Sequence, residues 1–347
     1  MQILGGWLWR NHARVTGAGN ALSVFNLHLG PLIFFIIIST LVIPNTLLAL
    51  DGEPIIVRND SAPLALDLEI GRFGSGKLYF DDPVDIAIDD DANIYVLDAG
   101  NYRIQLIDED GRYQSQWGSK GEKDGFFDEP VALTINRDND FLVVLDQGSY
   151  RVHKYDLDGT FILSFGKEGT RKGMFEEPVD VTIDTLDYIY VLDRDRKVVL
   201  KFHKSGTFVE EWGNKGRVSQ RLEEPVSIAY SDELKGYIYV LDVGKGALVK
   251  YKPDGELEET INLPEILLTE GMKPVKVKVN HENEIFVLDG LTGKLVRLNR
   301  YGINVFQLTS DDLVIDQPAA LAIDEEDRVY VSDLKKNRFF RFQLELN

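Results

Sequence analysis

The chain has 347 residues, 44% of them hydrophobic, no cysteine and a formal net charge of -19. The missing cysteine excludes disulfides, thiolate metal sites and a cysteine nucleophile, and the acidic balance repels phosphate backbones, so no nucleic-acid partner is expected. Arg10 and Arg14 are the only charged side chains before Asp51, which leaves 36 Lys and Arg against 57 Asp and Glu in the remainder.

The first fifty residues stand apart from the rest. From Val15 to Leu50 there is no Asp, Glu, Lys or Arg, and the densest part runs from Leu32 to Ile43. An uncharged run of this length spans roughly 30 Å of hydrocarbon as a helix. Residues 1–50 are therefore expected to be a signal anchor with one hydrophobic helix, meeting the membrane through residues 15–50. Arg10 and Arg14 predict that its N-terminal end stays cytoplasmic and everything after Asp51 lies outside. The alternative is a secreted protein released by signal cleavage after Ala49, although Leu47 fits the small-x-small rule poorly. Residues 51–63 read as a linker.

From residue 64 onward the chain is periodic. Ile94-Tyr95-Val96-Leu97-Asp98 returns five times, ending on Asp146, Asp193, Asp242, Asp289 and Asp333, at spacings of 48, 47, 49, 47 and 44 residues. A period in that range marks one supersecondary unit per repeat. Each phrase is apolar on both faces of a strand and stops on a turn-forming Asp, so it belongs to a strand buried on both sides. Before each phrase a proline, at 83, 130, 178, 225, 274 and 318, opens another alternating run. Proline at a first strand position loses no ladder hydrogen bond. Thirteen residues after each of the first five aspartates stands a glycine, Gly111, Gly159, Gly206, Gly255 and Gly302. A glycine at fixed offset between two strands reads as a hairpin turn. Fourth strands end in Trp117-Gly118, Phe165-Gly166 and Trp212-Gly213.

Six units of four strands predict an all-β fold, a six-bladed β-propeller with four-stranded antiparallel blades, over residues 64–347. The sixth unit runs out before a fourth strand. Residues 64 to 70 precede Gly71, which is 12 residues before Pro83, the spacing also seen from Gly118 to Pro130 and from Gly166 to Pro178. They are predicted to supply the missing strand and close the ring, removing two exposed sheet edges.

Pro83-Val84-Asp85-Ile86-Ala87-Ile88-Asp89, Ile94-Tyr95-Val96-Leu97-Asp98, Asn101-Tyr102-Arg103-Ile104 and Asp110-Gly111 together resemble the NHL repeat. All six units carry the resemblance, and the fourth and fifth depart from it at Gly244-Lys245-Gly246-Ala247 and Leu291-Thr292-Gly293-Lys294. It implies the propeller fold. The amidating lyase of this repeat family uses a zinc held by three histidines, but His12, His28, His153, His203 and His281 occupy different repeat positions and do not converge. The cytoplasmic NHL proteins that bind RNA fit an acidic, exported domain poorly.

Function is sought on two surfaces. The loops entering first strands and those following each Val-Leu-Asp share one face and collect cations, among them Arg194, Arg196, Lys197 and Arg338. They either decorate exposed turns or form a basic surface for a protein, peptide or glycan ligand. The six phrase-ending aspartates are expected to cap turns, with Arg103, Arg151, Lys294 and Arg338 placed to pair with them. Two residues past each proline, Asp85, Ala132, Asp180, Ser227, Lys276 and Ala320 form a mixed ring near the channel mouth. That ring either lines a watery channel or holds a polar ligand or metal. The expected function is an extracytoplasmic, membrane-anchored binding or scaffold module without a cofactor. The alternative is a hydrolase or lyase dependent on Ca or another divalent cation, with its site at the channel mouth and Asp85 and Asp180 as ligands, since gluconolactonase-type enzymes on the propeller fold hold such a cation with carboxylate and Asn ligands.

Overall fold

The computed structural model describes residues 46–48, 54–56 and 61–344, apart from 215, 217–219, 234–235, 264–272, 302–303 and 310–314. The hydrophobic helix expected within residues 15–50 lies outside them. Among the described residues no helix is long and apolar enough to cross a membrane, and the only helical element is the 3-10 turn Ala99–Asn101.

Each repeat folds as one antiparallel blade, its strands hydrogen-bonded in chain order. Blade 1 consists of Pro83–Ile88, Ile94–Asp98, Arg103–Ile107 and Tyr113–Trp117. Blades 2 to 5 repeat this from Pro130, Pro178, Pro225 and Pro274, and blade 6 begins with Pro318–Ile323, Val329–Asp333 and Arg338–Leu344. Strand Ser61–Ile70 lies beside the last of these, with Ile70 opposite Phe339 and Leu64 opposite Leu344, while Ser61 to Pro63 run parallel to Gln307 to Thr309 of blade 5.

The second strands are buried at every position in all six phrases. Their alternation explains why both faces are apolar. In blade 1, Ile94 and Val96 enter the core shared with blade 6, whereas Tyr95 and Leu97 enter the core shared with blade 2. Six such hydrophobic clusters are described, one at each interface between neighbouring blades. A blade with only one apolar face would leave an interface unfilled.

Each phrase-ending Asp is fully buried and staples its blade to the loop that enters it. Asp146 accepts the backbone N–H of Asp128 and Glu129 at 2.9 and 2.7 Å, and Asp193, Asp242 and Asp333 repeat this pair of bonds. The expected capping of the following turn is present as well, where Asp193, Asp242, Asp289 and Asp333 accept the backbone N–H of Arg196, Lys245, Thr292 and Lys336. The pairing expected five residues later holds in blade 1, where Arg103 Nε donates to Asp98 at 2.7 Å. It differs elsewhere: Arg151 faces Asp124, Arg338 pairs with Glu69, and the buried His153 lies 3.6 Å from Asp146. The cause is reach: Asp124 lies in the loop that enters blade 2, beside Arg151, and Glu69 lies on the strand hydrogen-bonded to that of Arg338, so each arginine meets a nearer acid.

Candidate functional site

The prolines place the channel residues. Proline has no N–H to give its neighbour, and in blades 1 to 5 the ladder skips the next residue, pairing Pro83 with Asp98 and then Asp85 with Leu97. A bulge of this kind re-aims the following side chain. Asp85, Asp180, Ser227 and Lys276 all end up buried on the axis of the ring.

There the structure brings these four together. Lys276 Nζ of blade 5 donates to Asp85 Oδ2 of blade 1 at 3.1 Å and to Asp180 Oδ1 of blade 3 at 2.9 Å. Ser227 of blade 4 donates to Asp180 Oδ2 at 2.6 Å and accepts the N–H of Val277 at 3.1 Å. The remaining lone pairs reach across to neighbouring blades: Asp85 Oδ2 accepts Leu133 N–H and Asp180 Oδ2 accepts Ile228 N–H, both at 3.0 Å. One hydrogen-bonded chain therefore ties blades 1 to 5 at the axis. Ala132 and Ala320 complete the ring as small, fully buried side chains.

Electrostatics favours the charged form of both partners. Burial alone pulls the Lys276 pKa down, but the two carboxylates, Asp180 foremost, outweigh it and raise the pKa above the usual lysine value. For Asp180 burial acts against ionisation, yet Lys276 outweighs it and holds the carboxyl below its usual range. The ammonium occupies the position from which a divalent ion would bridge the two carboxylates. These residues do not fit a metal while Lys276 lies between them, and no group of three His, Asp or Glu side chains suited to a metal is described.

Lys278, two residues further on, escaped the sequence reading. The alternation Lys276-Val277-Lys278 places both amines on one side of a strand, a period-two signal that would have found it. It lines a cavity of about 240 Å³ on the axis, bounded by all six first strands.

The cationic loop residues have mixed fates. Arg196 is half-buried and donates to Met174 O at 2.6 Å and to Glu211 at 2.8 Å, holding a loop in place. Arg194 forms an exposed bidentate pair with Glu177, and Arg338 pairs with Glu69 while its guanidinium lies 5.2 Å from the Phe340 ring. Lys197 is exposed and makes no ion pair among the described residues.

Fold and axis define a six-bladed β-propeller whose innermost ring is bridged by its own side chains. No family model matches the chain. Over 71 residues, 20% of its length, it is 31% identical to the protein brain tumor of Drosophila melanogaster, and this stretch is 7% of that protein, so the chain spans only a small part of that relative. Its fold is similar to a streptogramin B lyase, at 14% identity over 82% of this chain and 88% of that one, with a TM-score of 0.56. Virginiamycin B lyase from Staphylococcus aureus gives 12%, 81%, 100% and 0.57, and a gluconolactonase from Xanthomonas campestris 13%, 83%, 99% and 0.58. At such identities the likeness is one of fold.

Proposed function

We propose that this protein is a membrane-tethered, extracytoplasmic, NHL-like propeller that binds a protein or peptide through the loop face formed by blades 1 to 3. The observation that carries this reading is the internal Lys276 bridge. It engages both carboxylates that a cation-dependent hydrolase or lyase would need and leaves chemistry at that level without its ion. Binding is then left to the loops. Lys120, Lys123, Lys167, Arg171, Lys172 and Lys197 project there without ion pairs among the described residues, and Phe73, in the loop that enters blade 1, is 69% exposed. Acidic residues of the same loops alternate with these cations, which suits a protein surface of mixed charge better than a bare phosphate. An exposed aromatic within a charged rim is the usual anchor of such a contact.

Two structural readings go with this function. Residues 1–50 serve as the tether and 51–63 as the linker, and residues 64–70 close the ring as the outer strand of blade 6. The binding face is tested with the full chain in its membrane, by comparing partners recovered by wild type and by the Lys120→Glu, Lys123→Glu, Arg171→Glu, Lys172→Glu variant. A drop in recovery of tenfold or more is expected, and unchanged recovery overturns the assignment.

A further inference from the structure

The Lys276 bridge blocks the axis at one level, and beyond it, towards the turns between first and second strands, lies the cavity that Lys278 lines. Most of its wall is small or apolar, including Ala87, Ala229 and Ala322, with the hydroxyl-bearing Thr134 and Thr182. Lys278 brings the only ammonium to that lining. Lys276 is held by two carboxylates, but Lys278 makes no ion pair or hydrogen bond among the described residues. Burial depresses the Lys278 pKa, with Lys276 acting in the same direction and Asp85 and Asp180 against it. An amine in this condition gains from any anion brought beside it.

A second cavity of about 220 Å³ continues outward and shares Ile135, Tyr230 and Val279 with the first. Its wall carries Asp184, Asp232 and Glu325 together with Arg137 and His281. Asp184 is spent on its turn and on the hydroxyl of Tyr190, and Asp232 pairs with Arg137. Glu325 is exposed and makes no ion pair among the described residues. The passage thus has an unpaired lysine amine inside and an unpaired carboxylate at its mouth. Asp232 is offset by Arg137 and His281 lies 3.9 Å from Asp327, so a simple anion meets Glu325 on entry and a simple cation meets Lys278 inside. A molecule carrying both charges satisfies both ends.

We propose that this passage binds a small zwitterion of amino-acid type, its carboxylate on Lys278 and its ammonium towards Glu325. The site lies on the side of the ring opposite the proposed binding loops, so either assignment can fail without the other. The test is calorimetric titration of the full chain in detergent with glycine, β-alanine and γ-aminobutyrate, using butyrate and butylamine as single-charge controls. At least one zwitterion is expected to bind tenfold or more tighter than both controls. Lys278→Met should abolish that binding, and Glu325→Gln, a surface change that leaves the fold alone, should reduce it to the level of butyrate. Binding of no zwitterion, binding that survives Lys278→Met, or butylamine binding as tightly as the zwitterions overturns the proposal.

Discussion

At the scale of single residues, Lys276 shows how position alters the meaning of a side chain. Two aspartates and a lysine at equivalent repeat positions are compatible in sequence with a ligand site, a metal site or a watery channel. In three dimensions, with every charge paired and desolvated, they form a structural tie. Removing one partner of a buried pair leaves an uncompensated charge, which costs about 3–5 kcal/mol. Lys276→Met should therefore lower the free energy of unfolding in urea by about that amount, and Asp180→Asn in the same chain should restore much of it. The pH dependence has a definite sign. In wild type the lowered pKa of Asp180 contributes stability that is present above the unfolded carboxyl pKa and lost as pH falls through the folded one. In the Met variant the orphaned carboxyl is expected to hold its proton instead, so the difference between the two proteins shrinks in acid. A difference that grows in acid contradicts the pairing.

At the scale of the element, the loop four residues past each phrase-ending Asp adopts a left-handed backbone throughout. Tyr102, Tyr150, Lys197 and Asn337 have φ of 56, 55, 56 and 54°, and blades 4 and 5 place Gly246 and Gly293 there at 60 and 71°. The two repeats that depart most from the NHL pattern are thus those that give this position to the residue adopting it without strain. Left-handed backbone costs other residues roughly 1–2 kcal/mol, while glycine costs roughly 0.5–1 kcal/mol in chain entropy. Because Lys197 is exposed and unpaired among the described residues, Lys197→Gly should stabilise by up to about 1 kcal/mol, read as a higher melting temperature. The hairpin glycines carry a second constraint besides their turns. A Cβ on Gly159 would lie 2.6 Å from Trp117 of the preceding blade, and one on Gly255 would meet Trp212 at the same distance. In blades 1 to 3 the terminal aromatic therefore packs beneath the next repeat's turn, a contact between residues about 42 apart that no local pattern displays.

At the scale of the whole molecule, stability depends on packing around a ring. The core between blades 6 and 1 includes Ile70 with Phe80, Ile86 and Phe339, and the strand from Ser61 to Ile70 contributes to it from the other end of the described chain. With residues 1–50 as the proposed tether, deleting them should move the protein from the membrane to the soluble fraction with its melting transition intact. Deleting residues 1–70 should cost more than a single large core truncation, about 2–5 kcal/mol, and expose the outer edge of blade 6 to aggregation. Equal melting temperatures for the two deletions would show that residues 64–70 do not close the ring. Blade number, strand count and the register of the phrases were determined by the sequence alone, because hydrophobic alternation, proline and turn residues act over a few positions and repeat. Only the tertiary structure decided that Lys276 bridges Asp85 and Asp180, that Arg196 and Arg338 are engaged within the fold, and that Lys278 faces an open cavity. Those outcomes depend on distances in space between residues up to 269 apart in the chain, and separation along a sequence carries no information about such distances until the ring has formed.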